Sequence, residues 1–428
     1  LGSNMELFLS FIPALILVLV ASYICGNLAR YIGQPKVVGE MIAGILIGPS
    51  FLGIFAPQFM STLFTIDIKS ILYILSNIGL GMYMFLVGAE VDEKKLTGNL
   101  IKKCTILSTS GIIVPLLLGI MVGVIYYSKL SLPDVNIYLF ALFIGSALAL
   151  TAFPMLARIL QERNLTTSNF GTLALIAASI DDALAWCLVA LITALAQAQG
   201  VLAGITAITF GTLFACFMLL VGKKWLTRLG ERVEKEGSLS MNHFSLVLLL
   251  LLVAIWFTDY VGVYSVFGGF IVGLSMPRNK VFLQELKSKF QPFVITLLLP
   301  IFFAYSGLNT NFTTIFNDMS LLIPAIVVLV ASIAGKYGGC ALAMKSIGYS
   351  WREASAIGIL MNARGLMVLI LVNIGITYKI ITPQVFAILV LMTLVTTIVV
   401  MPIFNILYPE NPKENQNVLD LKPFSKQS

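Results

Sequence analysis

Charged residues are scarce in this chain. Asp, Glu, Lys and Arg make up 11% of its 428 residues, less than half the share of about 25% usual in soluble domains. Histidine is nearly missing, with His243 alone, and the five cysteines (Cys25, Cys104, Cys187, Cys216, Cys340) stand apart without CxxC spacing. Neither a Cys/His metal site nor a disulfide framework is implied. No nucleotide-binding fingerprint follows the last apolar stretch. What fills the sequence is apolar: 58% hydrophobic residues and a mean hydropathy of +0.97. The fold class expected is an all-α polytopic membrane protein.

Apolar runs long enough for a bilayer give about 13 transmembrane helices: 7–29, 37–55, 68–89, 103–127, 136–159, 169–197, 201–221, 243–261, 263–277, 291–307, 319–345, 353–374 and 381–407. Residues 1–4 read as a vector remnant, 5–408 as the membrane unit, and 409–428 as a polar, flexible cytoplasmic tail. No cleavable signal peptide is read at the start. With the N-terminus outside, 22 of the 27 Lys and Arg fall on the cytoplasmic side. Lys69, Lys129 and Lys379 lie outside, and Lys336 and Arg364 within spans. The positive-inside rule therefore explains the pI near 9.1 as topology. It does not point to nucleic acid.

Against this apolar background a few residues stand out. Asp181 and Asp182 sit at the middle of the sixth span, where each charge costs about 3 kcal/mol on insertion scales. Thr151 and Pro154 interrupt the fifth span; the proline removes a backbone donor and crowds the Leu150 carbonyl. Its reading is either a plain kink or a break lining a cavity. Asn362 and Arg364, between Gly358 and Gly365, suggest a second interruption in the twelfth span. Pro115 kinks the fourth span or is absorbed by packing. Lys336 lies deep in the eleventh, either snorkelling or pairing with an aspartate. Glu40 near the start of the second is either a carboxylate favoured by a helix N-terminus or part of an ion pathway. His243 is read as an interfacial structural residue, and 222–241 as a charged cytoplasmic loop between two halves.

One interrupted helix in each half, within spans 2–6 and 9–13 that begin on opposite sides of the membrane, implies inverted five-helix repeats with crossed broken helices. Such an arrangement puts an ion site at the midplane. Neighbouring helix residues point about 100° apart, so one aspartate can face a cavity while the other meets a neighbouring helix. Lys336 is the available counter-charge. Carboxylates, the Thr151 hydroxyl, Ser179 and unwound carbonyls form an oxygen-only ligand set suited to a hard monovalent cation such as Na⁺. Proton and cation would compete for the same carboxylates, which suffices for antiport by alternating access. An intramembrane diaspartyl protease is disfavoured, because its two acids come from separate helices; no enzyme and no cofactor are expected. An organic-anion symporter on a similar fold would need basic ligands, and a channel would conduct without proton coupling.

Gly39-Glu40 with Gly48-Pro49, Thr151-Ala-Phe-Pro-Met-Leu-Ala-Arg158, Asp181-Asp182 and Asn362-Ala-Arg-Gly365, in that order, resemble the monovalent cation:proton antiporter 2 family. The resemblance covers essentially the whole membrane chain. It implies a homodimer with a dimer domain (5–89 and 243–307), a linker helix (201–221) and a core domain (101–197 and 319–407) that moves like an elevator. It also implies Asp182 as main cation ligand and Asp181 as partner of Lys336, as in the electrogenic two-aspartate branch, which exchanges two protons per Na⁺. The location implied is the plasma membrane, as in a bacterial inner membrane. Relatives often carry an acid shortly after the Arg-Gly, where this chain has Val368, so the partner of Arg364 stays open. The K⁺ efflux relatives replace the first aspartate and add a nucleotide-binding domain; the aspartate here favours Na⁺ and keeps K⁺ as the alternative.

Overall fold

The computed structural model describes residues 2–91, 97–196, 202–263, 265–308, 311–313 and 317–409. Most of the expected tail lies outside the described residues. Within them the regular structure is helical, apart from one isolated bridge between Ser131 and Ile381. Ten helices are long and apolar enough to cross a bilayer, from Ser3–Tyr31 to Pro383–Leu407. The other three expected spans are occupied by Asn169–Ala196, by the ten-residue Ser265–Leu274, and by the pair Trp351–Leu360 and Leu366–Thr377.

The charged stretch 222–241 is a helix, which corrects the loop read there. A π-helical turn, Met218–Gly222, carries Leu202–Phe217 straight into Lys223–Glu236. The signal was amphipathic: Leu226, Gly230 and Val233 recur at helical spacing and are buried, while the charges face outward. Gly237 ends it at φ 73°, the left-handed conformation that glycine adopts without strain, and Ser240 caps the next helix, Met241–Tyr260. The tenth span likewise starts earlier than read, with Lys280–Phe293 running through Val294–Leu298 into Leu299–Leu308.

Two packing groups result. Gly2–Tyr31, Lys36–Ile47, Ile66–Glu90, Met241–Tyr260, Ser265–Leu274 and Leu299–Leu308 pack mainly on one another. Gly98–Leu130, Ile137–Ala149, Asn169–Ala196, Leu322–Ser346, Trp351–Leu360 and Pro383–Leu407 form the second group. Missing side chains allow the closest approaches in the first: a Cβ on Gly44 would meet the Ala304 carbonyl oxygen at 1.9 Å, and one on Gly273 the Phe85 carbonyl oxygen at 2.1 Å. The groups meet along Phe153–Glu162, which packs on Lys36–Ile47 and Ile66–Glu90. That seam is polar. Glu162 accepts from the Lys36 backbone N–H at 2.8 Å and pairs with Arg158 at 2.9 Å, and the Tyr83 hydroxyl donates to Gln161 at 2.9 Å.

Candidate functional site

The fifth span is not merely kinked. Ile137–Ala149 stops, Leu150 to Ala152 run extended, and Phe153–Glu162 begins anew. Pro154 stands in the first turn of the second half, where its missing N–H costs no helical bond. The twelfth span breaks in the same way between Leu360 and Leu366. The two breaks touch: the Ala152 N–H donates to the Ala363 carbonyl at 3.1 Å, and the Thr151 hydroxyl lies 3.4 Å from the Met361 carbonyl.

Asn169–Ala196 passes beside this crossing and presents both aspartates, each 1% exposed. Their surroundings differ completely. Asp181 accepts from Ser108 at 2.5 Å on Oδ1, and from Lys336 at 2.7 Å and Thr151 at 3.1 Å on Oδ2. Asp182 is equally buried, yet among the described residues neither of its oxygens has a hydrogen-bond partner. The 100° between successive helix positions turns one acid into the protein's polar network and the other out of it.

Both cations at the crossing, Lys336 and Arg364, are held by carbonyls that a proline and a helix break release. Lys336, fully buried, donates to the Gly111 carbonyl at 2.7 Å and the Ala149 carbonyl at 2.9 Å besides Asp181. Gly111 lies four residues before Pro115, which has no N–H to offer it, so the proline leaves an acceptor inside an otherwise continuous helix. Ala149 is the last residue before the first break. Arg364, also fully buried, spans the carbonyls of Ala147 (3.2 Å), Leu148 (2.5 Å) and Leu150 (3.2 Å) with Nη1, and reaches Ser332 O with Nη2 at 3.1 Å. Leu150 lies in the break itself, just past the end of that half-helix. The pairing left open in the sequence is thereby answered: Arg364 caps the negative end of the half-helix Ile137–Ala149. Val368, an apolar residue shortly after the Arg-Gly, is fully buried. Two cations and two carboxylates share this enclosure, so its formal charge is zero when both aspartates are ionised.

The remaining named residues divide. Asn362 donates to the Gly358 carbonyl at 2.9 Å and ties off the half-helix Trp351–Leu360. Ser179 donates to the Ile176 carbonyl of its own helix at 2.7 Å, without a bond to either aspartate. Glu40 is fully buried in the seam between the packing groups, with neither carboxylate oxygen bonded among the described residues, away from the aspartates' hydrogen-bond network. Three contributors went unread in the sequence: Ser108, Gly111 and Thr397, whose hydroxyl bonds the Arg364 carbonyl at 2.6 Å. Pro115 was the available signal for Gly111. Serine and threonine in membrane helices usually bond their own backbone, so nothing distinguished the other two.

A membrane protein with two interrupted helices crossing beside buried, paired charges has the architecture of a secondary transporter. The family comparison agrees. The model of the transmembrane sodium/hydrogen exchanger family matches residues 15–406, and the chain belongs to that family. It is 37% identical over 403 residues to the Na⁺/H⁺ antiporter NhaS4 of Synechocystis, covering 92% of this chain and 98% of that one. Cation/H⁺ antiporter 19 of Arabidopsis thaliana is 36% identical over 397 residues, and the chain spans 49% of its length. K⁺/H⁺ antiporter 1 of Saccharomyces cerevisiae is 29% identical, with 44% of its length spanned. The sodium proton antiporter MjNhaP1 of Methanocaldococcus jannaschii has the same fold, with a TM-score of 0.61 at 20% identity over 93% of this chain and 96% of that one.

Proposed function

We propose that this protein exchanges a monovalent cation, Na⁺ in the first instance, for protons by alternating access at the Asp181–Asp182 crossing. The observation that carries the reading is the inequality of the two acids. Asp182 has two buried oxygens without partners among the described residues, which a proton or a dehydrated cation would satisfy, and not both at once. Asp181 is occupied by Lys336, Thr151 and Ser108. Thr151 keeps acceptor lone pairs for a cation bridging the aspartates, and Ser179 stands one turn before Asp182, where its oxygen can turn towards the same ion.

Charge balance supplies the coupling. A cation entering the neutral enclosure leaves one positive charge in excess at low dielectric, a cost relieved when Lys336 gives up its proton as Asp181 turns to the ion. Loss of that proton and of the one on Asp182 per cation makes the cycle electrogenic. The second packing group, with the linker Leu202–Phe217 at its border, would carry the site past the first, which in this reading forms a homodimer in the plasma membrane with the N-terminus outside. K⁺ remains a second cation to test, because one relative is named a K⁺/H⁺ antiporter. The decisive experiment is cation-driven dequenching of a ΔpH dye in proteoliposomes with Na⁺, K⁺ and Li⁺. The expected result is a Na⁺ response that Asp182→Ala abolishes; full activity in that variant refutes the assignment.

A further inference from the structure

Away from the crossing, the unread helix Lys223–Glu236 makes one wall of a groove of about 600 Å³. It uses two sides of itself differently. Leu226, Gly230 and Val233 are buried, and Gly230 presses so closely on Pro277 and Asn279 that an added Cβ would lie 2.4 Å from the proline. Trp225, Arg228, Leu229 and Arg232 recur at i, i+3, i+4 and i+7 and line the groove together with Leu226. The opposite wall is Met241–Tyr260, with Leu246, Leu249, Leu250 and Val253 at the same spacing.

The walls differ in chemistry. Past His243 at its start the second is aliphatic, and its Leu246, Leu249 and Val253 are 58%, 59% and 52% exposed on a helix long and apolar enough to cross a membrane. The first sets Arg228 and Arg232 one turn apart, with His243 lining the groove too. Among the described residues no carboxylate lies within ion-pair distance of either guanidinium; Glu234, on the other side of the helix, is bonded to Asn279. Trp225, 78% exposed beside them, is the residue type that settles at headgroup level. The volume is that of a small-molecule site.

We propose that this groove is a binding site for one anionic diacyl phospholipid, its phosphate held by Arg228 and Arg232 and an acyl chain laid along Leu246, Leu249, Leu250 and Val253. Paired guanidinium groups match a phosphate's geometry, and the aliphatic face continues from them for two turns along the membrane helix. A free phosphate would leave that face uncovered, and a zwitterionic lipid would bring its own ammonium against the arginines. The bound lipid would brace Lys223–Glu236 against Met241–Tyr260, at the linker between the two packing groups.

The test uses the purified full chain, delipidated in a neutral detergent and offered phosphatidylglycerol and phosphatidylcholine of equal chain length. Retained lipid is counted by native mass spectrometry. The expected result is one retained phosphatidylglycerol, favoured roughly thirtyfold, on the scale set by two basic groups at a membrane surface. Arg228→Gln/Arg232→Gln should bring the preference within about twofold. Arg228→Lys/Arg232→Lys should keep most of it, and Lys223→Gln/Lys224→Gln, the same loss of charge outside the groove lining, should leave it unchanged. Equal retention of both lipids would overturn the site, as would an equal loss in the Lys223/Lys224 variant. Displacement by glycerol phosphate without chains would make it an anion site and overturn the lipid assignment.

Discussion

Replacing Lys336 by methionine removes the one cation that pairs with Asp181 among the described residues. The ammonium makes three bonds, at 2.7 Å to Asp181, 2.7 Å to Gly111 and 2.9 Å to Ala149, and all its donors are used. Methionine has a similar length and no donor, so packing is nearly kept while the bonds are lost. Removing one member of a buried ion pair costs about 3–5 kcal/mol, because the other is left charged and desolvated. Ser108 and Thr151 still donate to Asp181, which places the expected loss near the lower end of that range. Asp181→Asn alone leaves the ammonium with two carbonyls and should cost less. The double variant, with no unpaired charge, should fall short of the sum by about 2–3 kcal/mol. Unfolding of the four proteins in detergent, followed by tryptophan fluorescence, gives this cycle. Effects that add within about 0.5 kcal/mol would mean that the pair is not coupled and would refute the reasoning.

Asp182→Asn removes a carboxylate that makes no hydrogen bond among the described residues, so stability should hold or rise while cation-dependent proton flux disappears; a clear drop in melting temperature would reveal an unseen partner. Arg364→Met should orphan the four carbonyls it now holds and destabilise by about 3 kcal/mol or more, with Arg364→Lys intermediate because fewer donors remain. Equal stability of the two would discount the cap. Pro115→Ala gives Gly111 an intrahelical N–H and should loosen the hold on Lys336, which would appear as a changed pH profile of antiport at near-normal stability; an unaltered profile counts against the released carbonyl as a positioning device. Gly273→Ala drives a methyl into the Phe85 carbonyl and should cost about 1–3 kcal/mol in thermal unfolding, whereas wild-type stability would mean that the two helices separate easily.

Much of the site was legible because lipid makes the relevant residues expensive. Thr151, Asp181, Asp182, Lys336 and Arg364 are conspicuous only against an apolar background, and each lies at the crossing. Ser108 and Gly111 were not legible: a serine and a glycine carry no penalty in a membrane helix. Arg364 was visible, but its partners are backbone carbonyls, which every residue possesses. In Lys223–Glu236 the density of charge masked a helical period of buried positions, and the segment was read as a loop. Ser179 was grouped with the cation ligands from sequence proximity, and its hydroxyl is bonded within its own helix.

By itself the sequence determined that this is a polytopic helical membrane protein, where its two interruptions fall, and that a carboxylate pair stands at their depth. Those features follow from local chemistry: hydropathy, proline's missing donor and the cost of a charge in hydrocarbon. Which aspartate is bound and which is bare was open in the residues themselves and implied only by the family resemblance; the tertiary structure gives Asp181 its partners. Adjacent helix positions differ by a rotation that sequence does not fix, and the choice rests on partners far along the chain, Ser108 at 73 residues' distance and Lys336 at 155. The tertiary structure also decided that one proline, freeing the Gly111 carbonyl four residues back, and one helix break, leaving the Ala149 and Leu150 carbonyls open, supply acceptors for Lys336 and Arg364. A proline announces that a carbonyl is released; where that carbonyl points, and which charge reaches it, depends on how the helices pack.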